Sequence, residues 1–104
     1  MNHVKHVVLL RFKPQTSADT VADLFAALET LRHKVPGLLD VSAGINSSPE
    51  GLAKGFTHGF VMTFADAASR DAYLPHPDHE AVKEKLLLWI DGGADGVLVM
   101  DWQE

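Results

Sequence analysis

The residues best suited to chemistry lie in one ten-residue stretch, 71–80. This stretch holds the only tyrosine of the chain, Tyr73, and two of its six histidines, His76 and His79. A neutral imidazole can accept a proton, and a phenol can donate a hydrogen bond to a carbonyl or enolate oxygen. The stretch therefore predicts acid–base chemistry on a carbonyl compound.

Two prolines predict that this stretch is a corner between two helices. Pro75 disfavours a helical conformation at Leu74, so a helix that arrives from the amino-terminal side should end there. Pro77 can be the first residue of a new helix, because its missing N–H would have no partner in the first turn. His79 would then lie in that first turn, where the helix dipole disfavours its protonated form.

A carboxylate and a further histidine are expected near the corner. In an antiparallel sheet the end of the last strand lies beside the start of the first, which places Asp101 next to His6. The candidate catalytic residues are therefore His79 as the base, Tyr73 as the hydroxyl donor, and the pair His6 and Asp101. The alternative from the residues alone is structural: His79 packs or caps a helix, His6 is a satisfied core histidine, and Tyr73 fills the core.

Composition excludes several other functions. The chain of 104 residues is long enough for one domain, 1–104, and its lack of cysteine excludes disulfides and thiolate catalysis. A net charge of −5 without a Lys/Arg cluster argues against a nucleic-acid partner. The longest apolar run, 86–90, is too short to span a membrane, and the amino terminus lacks the layout of a secretory signal, so we expect a cytoplasmic protein. The spacing His76-x-x-His79-Glu80 fits no zinc-protease motif, and we expect neither a metal nor a cofactor.

Hydrophobic periodicity predicts four strands and a set of helices around them. The strands are expected at 3–12, 39–47, 56–65 and 95–102, and the helices at about 17–34, 66–74 and 77–90. The order is strand, helix, strand, strand, broken helix, strand. The compact arrangement for this order is an α+β fold, a four-stranded antiparallel sheet with the helices on one face.

The sheet face turned away from the helices is also apolar, which predicts a homodimer. Left in water, this row would form a patch larger than soluble monomers usually expose. Pairing with a second copy would bury it through one self-complementary surface. The predicted interface residues are Val7, Leu9, Val61, Leu98, Met100 and Trp102.

Five short motifs together resemble a known family. They are His6-Val7-Val8-Leu9-Leu10-Arg11-Phe12, Val35-Pro36-Gly37, Gly44-x-Asn46, Gly55-Phe56-Thr57-His58-Gly59-Phe60 and Tyr73-Leu74-Pro75-His76-Pro77-x-His79. In this order they resemble the stress-responsive dimeric α/β barrel (Dabb) family. That resemblance implies a ferredoxin-like β-α-β-β-α-β fold whose sheets pair into a dimeric barrel.

The resemblance also implies candidate site residues. Many family members have no assigned activity, and in one polyketide cyclase of the family the corresponding tyrosine and histidine are the catalytic pair, which points to Tyr73 and His79. A small pocket for a small-molecule ligand is expected, with walls formed by Val8, Leu10, Phe25, Leu28, His58, Phe60 and His76. Three functions stay open: a stress-responsive domain of unresolved biochemical role, a cofactor-free acid–base enzyme of the cyclase or aldol type, and a purely structural stress protein.

Overall fold

A single antiparallel sheet with helices packed on one face forms the fold in the computed structural model, which describes residues 2–104. The elements are β1 (Val4–Leu10), α1 (Ala18–Thr30), β2 (Leu38–Ile45), β3 (His58–Phe64), α2 (Ala67–Tyr73), α3 (Pro77–Leu87) and β4 (Val97–Gln103). The strand order across the sheet is β2-β3-β1-β4. This arrangement confirms the predicted α+β fold with β-α-β-β-α-β order.

Strand register decides which side chains face the helices. His6 in the central strand β1 lies opposite Met62 of β3 and Asp101 of β4. Side chains alternate between the two faces of a strand, so every second residue of β1 points toward the helices. Those residues are all buried: Val4, His6, Val8 and Leu10.

The core lies between this face and the three helices. Helix α1 contributes Leu24 and Leu28, α2 contributes Tyr73, and α3 contributes Leu86. The opposing sheet residues include Phe64, which is fully buried. Fully burying one large apolar side chain is worth about 1.5–3 kcal/mol, so this layer holds the helices against the sheet.

Short polar side chains set where α1 and α2 begin. The Thr20 N–H donates to Ser17 Oγ at 3.0 Å, and the Ser69 N–H donates to Asp66 Oδ1 at 2.8 Å. Each interaction satisfies an amide that has no partner within its helix. These caps agree with the helix starts predicted at about residues 17 and 66.

The helices end earlier than their apolar patterns predicted. Helix α1 gives way to a 3₁₀ turn at Leu31–His33, and α3 ends at Leu87 instead of about Ile90. Beyond α3, Ile90 forms an antiparallel bridge with Phe12, and the Asp91 N–H donates to the Arg11 carbonyl at 2.8 Å. Backbone pairing with the end of the first strand has replaced the last helical turn. Within residues 2–104, every helix falls short of the length and apolarity needed to cross a membrane.

The outer face of the sheet has no cover within one chain. Val7, Leu9 and Val61 are partly exposed there. On the edge strand β4, Leu98, Met100 and Trp102 are 42%, 58% and 45% exposed. The apolar row that the sequence predicted therefore lies on one open face.

Candidate functional site

A cavity of about 290 Å³ lies between the inner sheet face and helices α2 and α3. Its walls are formed by His6, Val8, Leu28, Phe60, Tyr73, Leu74, His79, Val82, Lys83, Leu86, Leu87, Val97 and Val99. Most of these side chains are apolar, and the polar ones are two histidines, one tyrosine and one lysine. Ligand sites typically combine apolar walls with a few convergent polar groups, and this cavity has that composition.

The proline corner fixes the orientation of His79. Pro77 is at the start of α3, and the His76 side chain caps this helix by accepting the Asp78 N–H at Nδ1, at 3.1 Å. His79 Nδ1 lies 2.9 Å from the Leu74 carbonyl oxygen. A carbonyl only accepts hydrogen bonds, so Nδ1 carries the proton and the neutral ring keeps its lone pair on Nε2.

Burial keeps His79 neutral. Loss of solvent around the ring lowers the pKa of His79, and the hydrogen bond to Leu74 and the charge of Glu80 only partly offset this shift. An imidazole with a lowered pKa is unprotonated at neutral pH and can accept a proton. His79 therefore has both the tautomer and the protonation state of a general base.

Tyr73 lies between the two histidines of the cavity. Its ring stacks on His79 with centroids 4.1 Å apart and meets His6 edge-on at 5.9 Å. Burial, with a smaller contribution from Glu80, raises the pKa of Tyr73 far above its usual value. The phenol therefore stays protonated, and its hydroxyl has no hydrogen-bond partner among residues 2–104. This leaves the hydroxyl available as a donor to a ligand.

His6 is fixed by a pair of ionic groups behind the cavity wall. Its Nδ1 donates to Asp101 Oδ1 at 2.8 Å, and Arg70 Nη1 donates to the second carboxylate oxygen, Oδ2, also at 2.8 Å. Asp101 itself does not line the cavity. The pairing of Asp101 with His6 matches the predicted geometry, but the carboxylate lies behind His6 and contacts neither Tyr73 nor His79 by a hydrogen bond.

The structure brings together six of the residues named from the sequence. His6, Tyr73 and His79 line the cavity, as do three of the predicted wall residues, Val8, Leu28 and Phe60. The walls also contain residues that were not named as binding residues. Val97 and Val99 belong to the inner sheet face, and Val82 and Leu86 are apolar positions of α3. Hydrophobic periodicity could therefore have identified these four residues.

Four predicted wall residues lie elsewhere. Leu10 is wholly buried in the core, and His76 caps α3. His58 packs edge-on against Phe12 at 4.9 Å and near Phe25 at 6.0 Å, in a second aromatic cluster at the other end of the sheet. The family resemblance had placed these residues in the pocket wall. In the structure Leu10 pairs with His58 at the end of β1 that is remote from His6, so neither reaches the cavity.

Arg70 is the functional candidate that sequence reasoning missed. On the sequence it looks like an ordinary surface arginine of α2. One signal was present: Arg70 precedes Tyr73 by three residues, and residues three apart lie on the same face of a helix. A helix face that directs Tyr73 to His6 must direct Arg70 to the neighbouring strand, which carries Asp101.

Comparison with known proteins adds family information to this geometry. The family pattern described as Stress responsive A/B Barrel Domain matches residues 4–104. The stress-response A/B barrel domain-containing protein HS1 of Arabidopsis thaliana is 31% identical over 100 residues, covering 96% of this chain and 88% of that protein. Olivetolic acid cyclase of Cannabis sativa is 28% identical over 76 residues, covering 73% of this chain and 75% of the cyclase.

A solved structure shows the same fold as a dimer. It is described as a dimeric ferredoxin-like protein of unknown function from Jannaschia sp. CCS1. The two chains are 33% identical and superpose with a TM-score of 0.85, covering 95% of this chain and 96% of the other. The ferredoxin-like fold is therefore confirmed, and the description of this neighbour supports a homodimer.

Proposed function

The chain belongs to the stress-responsive A/B barrel domain family, and from this premise we propose that it is a cofactor-free acid–base enzyme acting on a small carbonyl compound. In this proposal His79 is the general base and Tyr73 is the hydrogen-bond donor to the substrate oxygen. His6, held by Asp101, is the second imidazole of the cavity. The similarity to a protein named olivetolic acid cyclase supports a reaction that forms a carbon–carbon bond.

One observation carries the proposal: the anchored, neutral His79 ring beside a buried tyrosine. The 2.9 Å bond from Nδ1 to the Leu74 carbonyl leaves the lone pair on Nε2. Burial lowers the pKa of His79 and raises that of Tyr73, which separates the two groups into a base and a donor. Pairs of titratable groups whose pKa values are driven apart are typical of acid–base sites.

The proposed reaction begins with removal of a proton from the carbon beside a carbonyl. His79 Nε2 takes this proton, the C–H electron pair becomes an enolate, and the Tyr73 hydroxyl donates to the enolate oxygen. The enolate carbon then attacks a second carbonyl carbon, forming a C–C bond, and the resulting alkoxide takes the proton from His79. Donation to a developing oxyanion in a site shielded from water can account for several kcal/mol of barrier lowering.

Cavity size and lining limit the substrate class. Ligand pockets commonly measure roughly 300–1,000 Å³, so a cavity of about 290 Å³ suits a compound of modest size. The apolar walls fit a hydrocarbon or aromatic group next to the reacting carbonyl. We therefore infer a small, largely apolar ketone or dicarbonyl compound.

We also propose that the outer sheet face forms the homodimer interface. Its apolar row consists of Val7, Leu9, Val61, Leu98, Met100 and Trp102, and the last three are widely exposed in the single chain. A groove of about 600 Å³ on this face, bordered by the connection between β2 and β3, offers room for a partner's side chains. Burial of roughly 800 Å² per partner is enough for a stable interface.

A test of the enzymatic proposal uses phenylacetone as the probe. The ketone is incubated with the protein in D₂O, and 1H NMR follows replacement of its α-protons by deuterium. The wild-type protein should speed this exchange over buffer. His79→Ala should abolish the acceleration, and Tyr73→Phe should reduce it by about 10²–10³-fold, the usual loss on removing one oxyanion donor.

His33→Ala is the matched control, because His33 is an exposed histidine on the 3₁₀ turn after α1. With this variant, phenylacetone should exchange its α-protons at the wild-type rate. Exchange that is equal in wild type, His79→Ala and buffer contradicts the enzymatic proposal. If the probe also fails to bind, the result favours a structural stress protein, whereas binding without exchange favours a ligand-binding domain.

A further inference from the structure

We propose that Arg70 is a positioning residue for the cavity, acting through Asp101 to hold the His6 ring in one orientation and one tautomer. This inference deepens the proposed function and rests on it for its chemical meaning. It starts from an ion pair that does not touch the cavity. Arg70 Nη1 and His6 Nδ1 bind the two opposite oxygens of the Asp101 carboxylate, each at 2.8 Å.

The fold brings these groups together through two matched pairs. His6 and Asp101 are direct partners across strands β1 and β4. Arg70 and Tyr73 are three residues apart on α2, so both project from one helix face toward those strands. Tyr73 reaches the ring of His6, and Arg70 reaches Asp101. One helix face therefore contacts both members of the strand pair.

Arg70 changes what Asp101 does to His6. A carboxylate held on one oxygen only can rotate and present either oxygen to the imidazole. A guanidinium on the far oxygen fixes the carboxylate, so the near oxygen keeps accepting the His6 Nδ1–H. Arg70 also contacts Asp71, through Nε at 2.8 Å, which holds the guanidinium in place.

The remaining surroundings of His6 do not replace this effect. Tyr73 from α2, and His79 and Lys83 from α3, are the other titratable groups of the cavity, and none carries a negative charge at neutral pH. Strand β3 presents apolar side chains, including Phe60 and Phe64 at centroid distances of 6.3 and 6.2 Å. Asp101 is thus the one anion in hydrogen-bond contact with His6 in the described structure, and Arg70 is the cation that pairs with Asp101.

The consequence is a second imidazole in the cavity with one fixed free nitrogen. With Nδ1–H committed to Asp101, the nitrogen of His6 left for a ligand is Nε2, which makes no hydrogen bond within the described chain. His6 and His79 then each offer Nε2 to a ligand beside Tyr73. Arg70 keeps His6 in that role without touching the substrate.

15N NMR of the histidine side chains tests this inference without any ligand. The spectra are recorded on the ligand-free protein, and the His6 signal is assigned with His6→Gln. In alkaline buffer the wild-type His6 ring should show one protonated nitrogen, Nδ1, and one unprotonated nitrogen, Nε2. In Arg70→Met the two 15N signals should move toward each other, because a ring released from Asp101 samples both tautomers. Arg70→Lys keeps a cation on Asp101 and should restore most of the wild-type separation.

Arg32→Met is the control, because Arg32 is an ion-paired arginine whose carboxylate partner, Glu29, lies on α1. It should leave the separation of the His6 15N signals unchanged. The wild-type separation in Arg70→Met overturns the inference. If Arg70→Met does not fold, Arg70→Gln replaces it with the same expected change. Because no substrate is present, this result is independent of whether phenylacetone exchanges.

Discussion

Tyr73 and His79 stack with ring centroids 4.1 Å apart, although they belong to two different helices. The turn between α2 and α3 makes this contact possible, because Pro75 ends one helix and Pro77 begins the next. A continuous helix would have placed these two residues, six apart, on different sides of its axis. The break between α2 and α3 thus brings the rings of Tyr73 and His79 into contact.

The stacked pair predicts an unusual titration of His79. Burial lowers the pKa of His79, so its 15N NMR midpoint should lie below the value of about 6.5 for a free imidazole. Tyr73→Ala exposes the ring and should move the midpoint upward. A wild-type midpoint at or above 6.5 would show that burial does not control this histidine.

The same burial gives Tyr73 an effect on stability in alkali. Its folded pKa is raised, so the folded protein keeps the phenolic proton while the unfolded chain loses it above about pH 10. The unfolded state is then favoured, and the free energy of unfolding should fall as pH rises beyond 10. Urea unfolding of Tyr73→Phe should show a smaller fall over the same range. Parallel curves for the two proteins would contradict the assigned burial.

Sequence patterns predicted much of the fold and part of the site. Antiparallel strand order predicted that Asp101 lies beside His6, as the register shows. The proline corner followed from local backbone rules alone. Arg70 was missed because its ion pair depends on how α2 lies over β4. His58 was expected in the pocket wall on the family resemblance, but β3 places it opposite Leu10, four residues along β1 from His6.

Charge on the outer sheet face should prevent dimer formation. Met100 is 58% exposed near the middle of β4, and Met100→Glu would place carboxylates in the proposed interface. Light scattering should give twice the 11.3 kDa chain mass for the wild type and the single mass for the variant. Leu88→Glu is the control, since Leu88 is 69% exposed but lies at the end of α3. A variant that stays dimeric would locate the interface elsewhere.

A tight approach between a loop and α2 should make Gly37→Ala destabilising. Gly37 has φ of +84°, and a β-carbon there would collide with the Ser69 side chain. The strained backbone and the collision together should cost about 1–3 kcal/mol in urea unfolding. Adding Ser69→Gly should recover the share of the lost free energy of unfolding that is due to the collision. Gly51→Ala, also at positive φ but with open space around it, measures the share due to the strained backbone alone.

The hydrogen bond between His6 and Asp101 joins residues 95 positions apart, and one of them lies on an edge strand. Edge strands commonly exchange their amide hydrogens through local opening that leaves the rest of the protein folded. If β4 opens in this way, Asp101 and Arg70 separate and His6 loses its anchor while the sheet and helices persist. The cavity would then alternate between an organised and a disorganised state. A partner chain docked on the outer face of β4 would restrain that opening, so dimer formation would also govern how much of the time the site is intact.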